Sequence, residues 1–225
     1  MSTILKLENI SYGYIDGGFK RDILKELSYD FQEGKFYTIL GPSGSGKTTL
    51  LSIIAGLDKQ NSGKIYYKGE DLDKLGLHKY RRNAMGIVFQ SFNLINYLTA
   101  LENILVAMNE TDNELPKNHK ELAYGLLNMV GIVESKADRQ INKLSGGEQQ
   151  RVAIARSMAS NVDLIFADEP TGNLDSKTEL EVVKLFQNLT EKYGKTIIVV
   201  THSEEVSKLS DSRLFLKDGK LIDIE

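Results

Sequence analysis

A chain of 225 residues is long enough for one sizeable hydrophobic core with a smaller lobe, and too short for two large domains. Charged residues make up 26% of the chain and hydrophobic residues 41%, which excludes both a disordered chain and a largely membrane-embedded one. The net charge of -3, with acidic and basic residues interspersed, gives no support to obligate binding of DNA or RNA.

Targeting signals are absent from the sequence pattern. No apolar run approaches the roughly 20 residues needed to span a bilayer, and the first residues lack the charged and apolar regions of a signal peptide. The absence of cysteine suits the cytosol, where disulfides are rare. We therefore expect a single domain over residues 1–225 that resides in the cytoplasm.

The N-terminal third has the alternating pattern of antiparallel strands with one wet face, over residues 4–10 and 23–31. A Gly-rich loop over residues 12–18 is predicted between them. The short apolar run 36–40 ends in glycine, and residues 48–55 follow with helical spacing. This order predicts a strand, a loop and a helix.

Buried strands are also predicted farther along the chain, at residues 85–89, 164–167 and 196–200. They are separated by stretches with helical spacing, such as 145–159 and 177–192. Apolar strands that alternate with helices indicate a mostly parallel sheet covered on both faces. The predicted fold class is therefore α/β.

Two other segments depart from this alternation. Residues 92–143 are helical and Leu-rich without a convincing strand, which predicts an inserted helical lobe. Near the end, residues 213–217 and 220–224 flank Asp218-Gly219, the signal of a two-residue hairpin.

Residues 41–48 match the pattern G-x-x-x-x-G-K-[ST] between the predicted strand and helix. Glycines let successive backbone N–H groups converge on phosphate oxygens, and the helix adds its positive N-terminus. Lys47 would reach the β- and γ-phosphates, and Thr48 would hold Mg²⁺. The predicted nucleotide contacts are Gly41, Pro42, Ser43, Gly44, Ser45, Gly46, Lys47, Thr48 and Thr49.

Two carboxylates, Asp168 and Glu169, follow the apolar run 164–167. They fall at the carboxyl end of a predicted buried strand, where ligands of open α/β sheets bind. Asp168 is suited to orient Mg²⁺ through water, and Glu169 to polarise an attacking water. Without the phosphate loop, an acidic strand end before a turn at Pro170 would be the simpler interpretation.

Residues 144–151 read LSGGEQQR and precede a good helix. Ser145 can cap that helix, and the glycines Gly146 and Gly147 allow close approach of the backbone. With this octapeptide downstream of a phosphate loop, the chain resembles the nucleotide-binding subunit of an ATP-binding cassette (ABC) transporter. The resemblance covers nearly the whole chain, and none of the core motifs is missing.

The resemblance implies a P-loop NTPase core with a mostly parallel sheet, an antiparallel β subdomain, and the helical subdomain over about residues 92–143 inserted within it. It implies ATP and Mg²⁺ as cofactors. It also implies that Glu169 is the catalytic base, that His202 contacts the γ-phosphate, and that Gln90 touches Mg²⁺ and the attacking water. With Thr48 and Asp168, Gln90 completes the expected metal contacts.

The remaining expected contacts also come from the resemblance. Ser145, Gly146 and Gly147 would meet the γ-phosphate bound by a second copy of the chain, and the loop with Asp175 would cross between the copies. Tyr14 is the candidate to stack on adenine, with Tyr12 as the second choice.

The expected partners are that second copy and an integral-membrane permease, with no nucleic acid. The motifs around Gln90 and Asp168 resemble the branch that serves macrolide export, lipoprotein release and antimicrobial-peptide resistance. The chain would then lie peripherally on the inner face of the cell membrane. Two alternatives stay open: an ATPase clamp that drives a membrane partner for signalling or cell-wall control without cargo, and a soluble ABC ATPase acting on DNA or ribosomes.

Overall fold

The computed structural model describes residues 2–17 and 19–224. Its strands are β1 (Thr3–Asp16), β2 (Phe19–Gln32), β3 (Phe36–Leu40), β4 (Ser62–Tyr67), β5 (Glu70–Asp71), β6 (Met85–Phe89), β7 (Leu164–Asp168), β8 (Thr196–Val200), β9 (Ser212–Lys217) and β10 (Lys220–Ile224). Its helices are α1 (Lys47–Ile54), α2 (Leu72–Leu75), α3 (Leu77–Asn83), α4 (Ala100–Glu110), α5 (His119–Met129), α6 (Glu134–Ala137), α7 (Gly146–Met158), α8 (Ser176–Tyr193) and α9 (Glu204–Lys208), with a 3-10 turn at Ile141–Lys143. Among the described residues no helix combines the length and apolar character needed to cross a membrane.

The central sheet has six strands in the order β10-β9-β3-β8-β7-β6. All neighbouring pairs are parallel except β9 and β10, which form an antiparallel hairpin. Alternate residues of a strand enter different cores: Ile197 and Val199 face one cluster, and Ile198 and Val200 face the other. The sheet is therefore covered on both faces, as the α/β prediction requires.

A second, antiparallel sheet has the order β2-β1-β4-β5. Its buried residues, such as Leu7 and Phe31, share one core with α1 and with Ile39 and Phe166 of the central sheet. The other core joins α7 and α8 to the helices α4 to α6. The predicted fold class, with its antiparallel β subdomain and helical insertion, is confirmed.

Helix α7 lies in direct contact with β6. A Cβ atom at Gly86 would stand 2.1 Å from the carbonyl oxygen of Ser157, which is backbone and cannot turn aside. At the same end of α7, the guanidinium of Arg156 donates to the carbonyls of Phe92 (3.0 Å) and Asn93. The segment that follows β6 is thus tied to the helix that packs on β6.

Several element predictions are confirmed to the residue, namely 36–40, 85–89 and 196–200. The C-terminal hairpin is also confirmed, because Asp218 and Gly219 adopt φ of 51° and 80° between β9 and β10. Positive φ at both central residues is the geometry of a type I′ turn, whose twist matches that of the strands.

The Gly-rich loop predicted over residues 12–18 is wrong, because β1 continues to Asp16 and is paired with β2. Gly13 caused the error. A Cβ there would lie 2.5 Å from the carbonyl oxygen of Arg21, so this glycine serves a close strand contact and not a turn. Gly18, the end of the predicted loop, lies outside the described residues.

The structure also contains β4, β5, α2 and α3, which the sequence pattern does not predict. Strand β4 buries only Ile65 and therefore shows no apolar alternation, although it pairs with both β1 and β5. Helices α2 and α3 have four and seven residues, which is too short for a clear period.

We expect Gly86→Ala to lower the free energy of unfolding by about 1 to 3 kcal/mol, since the added methyl group meets backbone on α7. Gly125→Ala is the matched control. Gly125 is exposed in α5 with nothing within 4 Å of its Cβ position, so alanine there should stabilise by about 0.5 to 1 kcal/mol. Urea unfolding followed by circular dichroism measures both, and equal effects of the two substitutions would contradict the packing argument.

Candidate active site

The loop that leaves β3 leads into the N-terminus of α1. Gly46, just before that helix, has φ of 96°, and a Cβ there would stand 2.4 Å from Cγ2 of Ile23. Within the described part of the chain, no side chain caps α1 and its first turn holds no acidic residue. Its terminal N–H groups are therefore available to an anion, which the helix dipole also favours.

Lys47 is only 5% exposed and points into its own loop. Its Nζ donates to the carbonyls of Gly41 (2.9 Å) and Pro42 (3.1 Å). Burial lowers the pKa of Lys47, and nearby carboxylates partly oppose that effect. The buried hydroxyl of Ser45 has no hydrogen-bond partner among the described residues. A buried ammonium group and an unsatisfied hydroxyl are what we expect of a loop that binds a phosphate group.

Asp168 ends β7 next to this loop. Its Oδ1 accepts a hydrogen bond from Oγ1 of Thr48 at 3.3 Å. Burial raises the pKa of Asp168, and the charge of Glu169 adds to the rise, while Thr48 and Lys47 partly oppose it. A hydroxyl and a carboxylate at this spacing are the oxygen ligands that Mg²⁺ prefers. The described residues contain no group of three or more His, Cys, Asp or Glu side chains that could hold a metal ion, so phosphate and water oxygens would complete the shell.

Glu169 follows in a left-handed backbone conformation, with φ of 45°. Such a conformation is uncommon for residues other than glycine and is often found at functional sites. Its N–H donates to the carbonyl of Val200 at 2.9 Å. Its Oε1 lies 2.7 Å from Nε2 of His202. The ends of β7 and β8 thus bring together two side chains that are 33 positions apart (202 minus 169).

An open cleft of about 420 Å³ joins these parts. The predicted residues that line it are Tyr14, Ser43, Gly44, Gly46, Lys47, Thr48, Thr49, Glu169 and His202. Ile23 also lines the cleft, and it was missed because a single apolar residue on a strand carries no functional signal.

The structure separates the two aromatic candidates for the base. Tyr14 forms one wall of the cleft and is 47% exposed. Tyr12 donates its hydroxyl to Oδ2 of Asp58 at 2.7 Å and does not line the cleft. An exposed ring beside a phosphate site is available for stacking on a base, so the geometry favours Tyr14 over Tyr12.

Gln90 follows β6 but does not line the cleft. Its Nε2 donates to Oδ1 of Asn173 at 3.4 Å, and Nδ2 of Asn173 donates back to the carbonyl of Gln90 at 3.3 Å. A Cβ at Gly172 would stand 2.8 Å from the same Nε2. Gln90 is therefore next to the loop that carries Glu169, and its amide must leave Asn173 to reach a metal or water in the cleft.

The residues expected to act on a second copy lie together, apart from the cleft. Ser145 caps α7 in a capping box with Glu148, and Asp175 caps α8. Hydrogen bonds from Thr178 lower the pKa of Asp175, which keeps it ionised. None of Ser145, Gly146, Gly147 and Asp175 lines the cleft.

A phosphate-binding loop, two carboxylates at the carboxyl end of β7 and an aromatic wall define a P-loop nucleoside triphosphate hydrolase. A family model described as ABC transporter matches residues 24–172. The chain is 44% identical to the ABC transporter ATP-binding protein YclH of Bacillus subtilis, over 96% of this chain and 95% of that protein. It is 39% identical to LolD, the ATP-binding protein of the lipoprotein-releasing system of Francisella tularensis, over 97% and 95%.

The ABC transporter cassette MJ0796 of Methanocaldococcus jannaschii has been solved as a dimer. That structure matches with a TM-score of 0.87 at 40% identity, over 98% of this chain and 99% of that one. A post-hydrolysis state of MJ0796 bound to ADP and Pi also gives a TM-score of 0.87. The chain therefore belongs to the ABC transporter family. It is an ATP-binding ATPase cassette that uses Mg²⁺.

Replacing Asp168 by Asn should stabilise the nucleotide-free protein and weaken Mg²⁺-dependent ATP binding. The pKa of Asp168 rises on folding, so its charge costs free energy at neutral pH, and this cost vanishes as pH falls through the raised pKa. We expect the urea midpoint of Asp168→Asn to exceed that of the unchanged protein at about pH 7.5, with a smaller difference near pH 4.

The exposed Asp30 on β2 supplies a matched control, since Asp30→Asn makes the same exchange outside the site. A midpoint for Asp168→Asn that does not exceed that of the unchanged protein at either pH would contradict the assignment of a buried, costly charge.

Proposed function

We propose that this chain is the ATP-hydrolysing subunit of an ABC transporter, and that two copies close around two ATP to drive a separate membrane permease. The observation that carries the proposal is the separation within one chain between the nucleotide cleft and the N-termini of α7 and α8. Each cleft would be completed by Ser145, Gly146, Gly147 and Asp175 of a second copy. The dimeric structure of the similar cassette MJ0796 supports this arrangement.

ATP would bind with its phosphates in the loop 41–48 and its base against Tyr14. Lys47 would exchange the carbonyls of its own loop for phosphate oxygens, and Ser45 would gain its missing partner. Mg²⁺, held by Thr48 and oriented by Asp168, would neutralise the charge that develops on the phosphates. The helix dipole of α1 acts in the same direction.

For hydrolysis, Glu169 would take a proton from the water that attacks the γ-phosphorus. The bond to the β,γ-bridging oxygen breaks, and ADP and phosphate are the products. Nε2 of His202, 2.7 Å from the carboxylate, can orient Glu169, and the His202 ring would also contact the γ-phosphate. Gln90, once released from Asn173, would contact Mg²⁺ and the water.

ATP acts in this scheme as the contact between two copies, because its γ-phosphate would touch the loop of one and the α7 N-terminus of the other. Two copies related in this way share an isologous two-fold interface. Loss of the γ-phosphate removes that shared contact, so binding and hydrolysis alternate between closed and open forms. The difference in ATP affinity between the forms is the energy available to move a partner.

The partner we propose is an integral-membrane permease that docks near Gln90 and the helices α4 to α6, which would hold the chain on the inner face of the membrane. The segment after Gln90 is fixed to α7 through Arg156, so a partner on this surface would sense movement of α7. Similarity to LolD favours lipoprotein as the cargo. Macrolides and antimicrobial peptides are the alternative cargoes, from the resemblance of the motifs around Gln90 and Asp168.

Glu169→Gln should lower the ATP turnover number by about 10² to 10⁴, the range for loss of a general base. The variant should also accumulate as an ATP-bound dimer, since the closed form no longer decays by hydrolysis. Phosphate release measures the first effect, and light scattering with size-exclusion chromatography in ATP and in ADP measures the second.

Glu191→Gln provides the control, because Glu191 is exposed on α8 far along the helix from its capped end. It should hydrolyse ATP at the unchanged rate. An undiminished rate in Glu169→Gln would remove Glu169 from the proposed role, and a monomer in ATP would reject the dimer.

A tagged Glu169→Gln protein, incubated with ATP and detergent-solubilised native membranes, should retain a multi-span membrane protein at near-equal amount. Mass spectrometry identifies the partner, and the same capture in ADP is the control. Recovery of ribosomes or nucleic acid in its place would favour a soluble ATPase. A membrane partner without any transport pathway would favour the signalling clamp.

A further inference from the structure

The N-termini of α7 and α8 lie side by side, with matched contacts along their first turns. Gly147, in the first turn of α7, meets Thr178 of α8. One turn later, Nη1 of Arg151 pairs with Oε2 of Glu181 at 3.1 Å. The two helices therefore run in the same direction and present their capped ends together.

The space at Gly147 is filled from within the chain. A Cβ atom there would stand 2.4 Å from Cγ2 of Thr178, far inside van der Waals contact. The neighbouring Gly146 differs, because a Cβ there would make ordinary contacts at 3.9 Å with Leu174 and 4.0 Å with Phe92. Within one protomer, only the second glycine is required for packing.

Thr178 cannot readily turn its methyl group away. Its Oγ1 donates to Oδ2 of Asp175 at 2.7 Å, and its N–H donates to Oδ1 at 3.1 Å. A β-branched side chain in a helix has few allowed rotamers, and rotation would break the hydroxyl contact with Asp175. One side chain thus holds Asp175 with its hydroxyl and sets the distance to α7 with its methyl group.

We propose that Thr178 is a positioning residue that sets where the α7 N-terminus lies relative to Asp175. Gly147 is then glycine because Thr178 occupies its Cβ position, and not because a phosphate approaches its α-carbon. The inference rests on the proposed function, in which both helix ends meet the ATP of a second copy. It changes the reason why residue 147 is glycine from close approach of a ligand to helix spacing, and its backbone N–H can still contact the nucleotide of the second copy.

The test measures the dissociation constant of the ATP-driven dimer in a Glu169→Gln background. Gly147→Ala, Gly146→Ala and Thr178→Ser are introduced singly, and Thr178→Ser is also combined with each of the two glycine substitutions. Serine keeps the hydroxyl for Asp175 and removes the methyl group. We expect Gly147→Ala to raise the dimer dissociation constant by about tenfold or more, as overpacking displaces α7. Adding Thr178→Ser should bring it to within about threefold of Thr178→Ser alone.

Gly146→Ala is the matched control, and Thr178→Ser should not restore its dimerisation, because the methyl group of Thr178 is not among the atoms near that glycine. ADP binding to each monomer should stay unchanged, since the cleft does not include Gly147 or Thr178. A purely structural fault would instead lower ADP binding and thermal stability together.

The role of Thr178 would be overturned if Thr178→Ser failed to restore dimerisation of the Gly147→Ala variant, or restored dimerisation of the Gly146→Ala variant equally well. Either result would leave the dimer proposal intact. A Glu169→Gln parent that stays monomeric in ATP would overturn both.

Discussion

The position of α7 is the constraint on which most of this molecule depends. Close to its C-terminal end the helix touches β6 at a distance that only glycine at residue 86 permits, and Arg156 fixes the segment after β6. At its N-terminal end the same helix meets α8 through Gly147 and Thr178. Because packed helices shift as units, movement at either end is felt at the other. One helix thereby connects the segment around Gln90 with the capped end that we propose meets a second copy.

The charged and polar groups of the cleft fit a metal-bound nucleotide. Burial lowers the pKa of Lys47 and raises that of Asp168, so the charged form of each group costs free energy that a bound ligand of opposite charge would offset. Lys47 meanwhile uses carbonyls of its own loop, and the hydroxyl of Ser45 has no partner among the described residues. A site with buried charges and an unpaired hydroxyl gains affinity for its ligand and lowers the stability of the nucleotide-free protein.

Sequence alone predicted the central strands because parallel strands buried on both faces are continuous apolar runs, as at 196–200. It failed where a glycine had a tertiary purpose, since Gly13 permits close pairing with β2 and does not begin a loop. The motifs predicted the residues that line the cleft except Ile23, and the contact of Tyr12 with Asp58 supplies the physical reason to prefer Tyr14, which the sequence had already ranked first. The partnership of Gly147 and Thr178 joins residues 31 positions apart (178 minus 147), and no local pattern reports it.

Neighbouring residues of one sequence motif can have different structural roles. In the segment Ser145-Gly146-Gly147, the serine caps a helix, the first glycine has room for a Cβ atom in ordinary contact, and the Cβ position of the second is filled by its own protomer. Contact with a nucleotide through backbone N–H groups does not require the absence of a side chain, because the N–H points along the helix axis and the side chain points outward. Intramolecular packing is therefore sufficient to explain the glycine at 147, whereas no close packing contact among the described residues explains the glycine at 146.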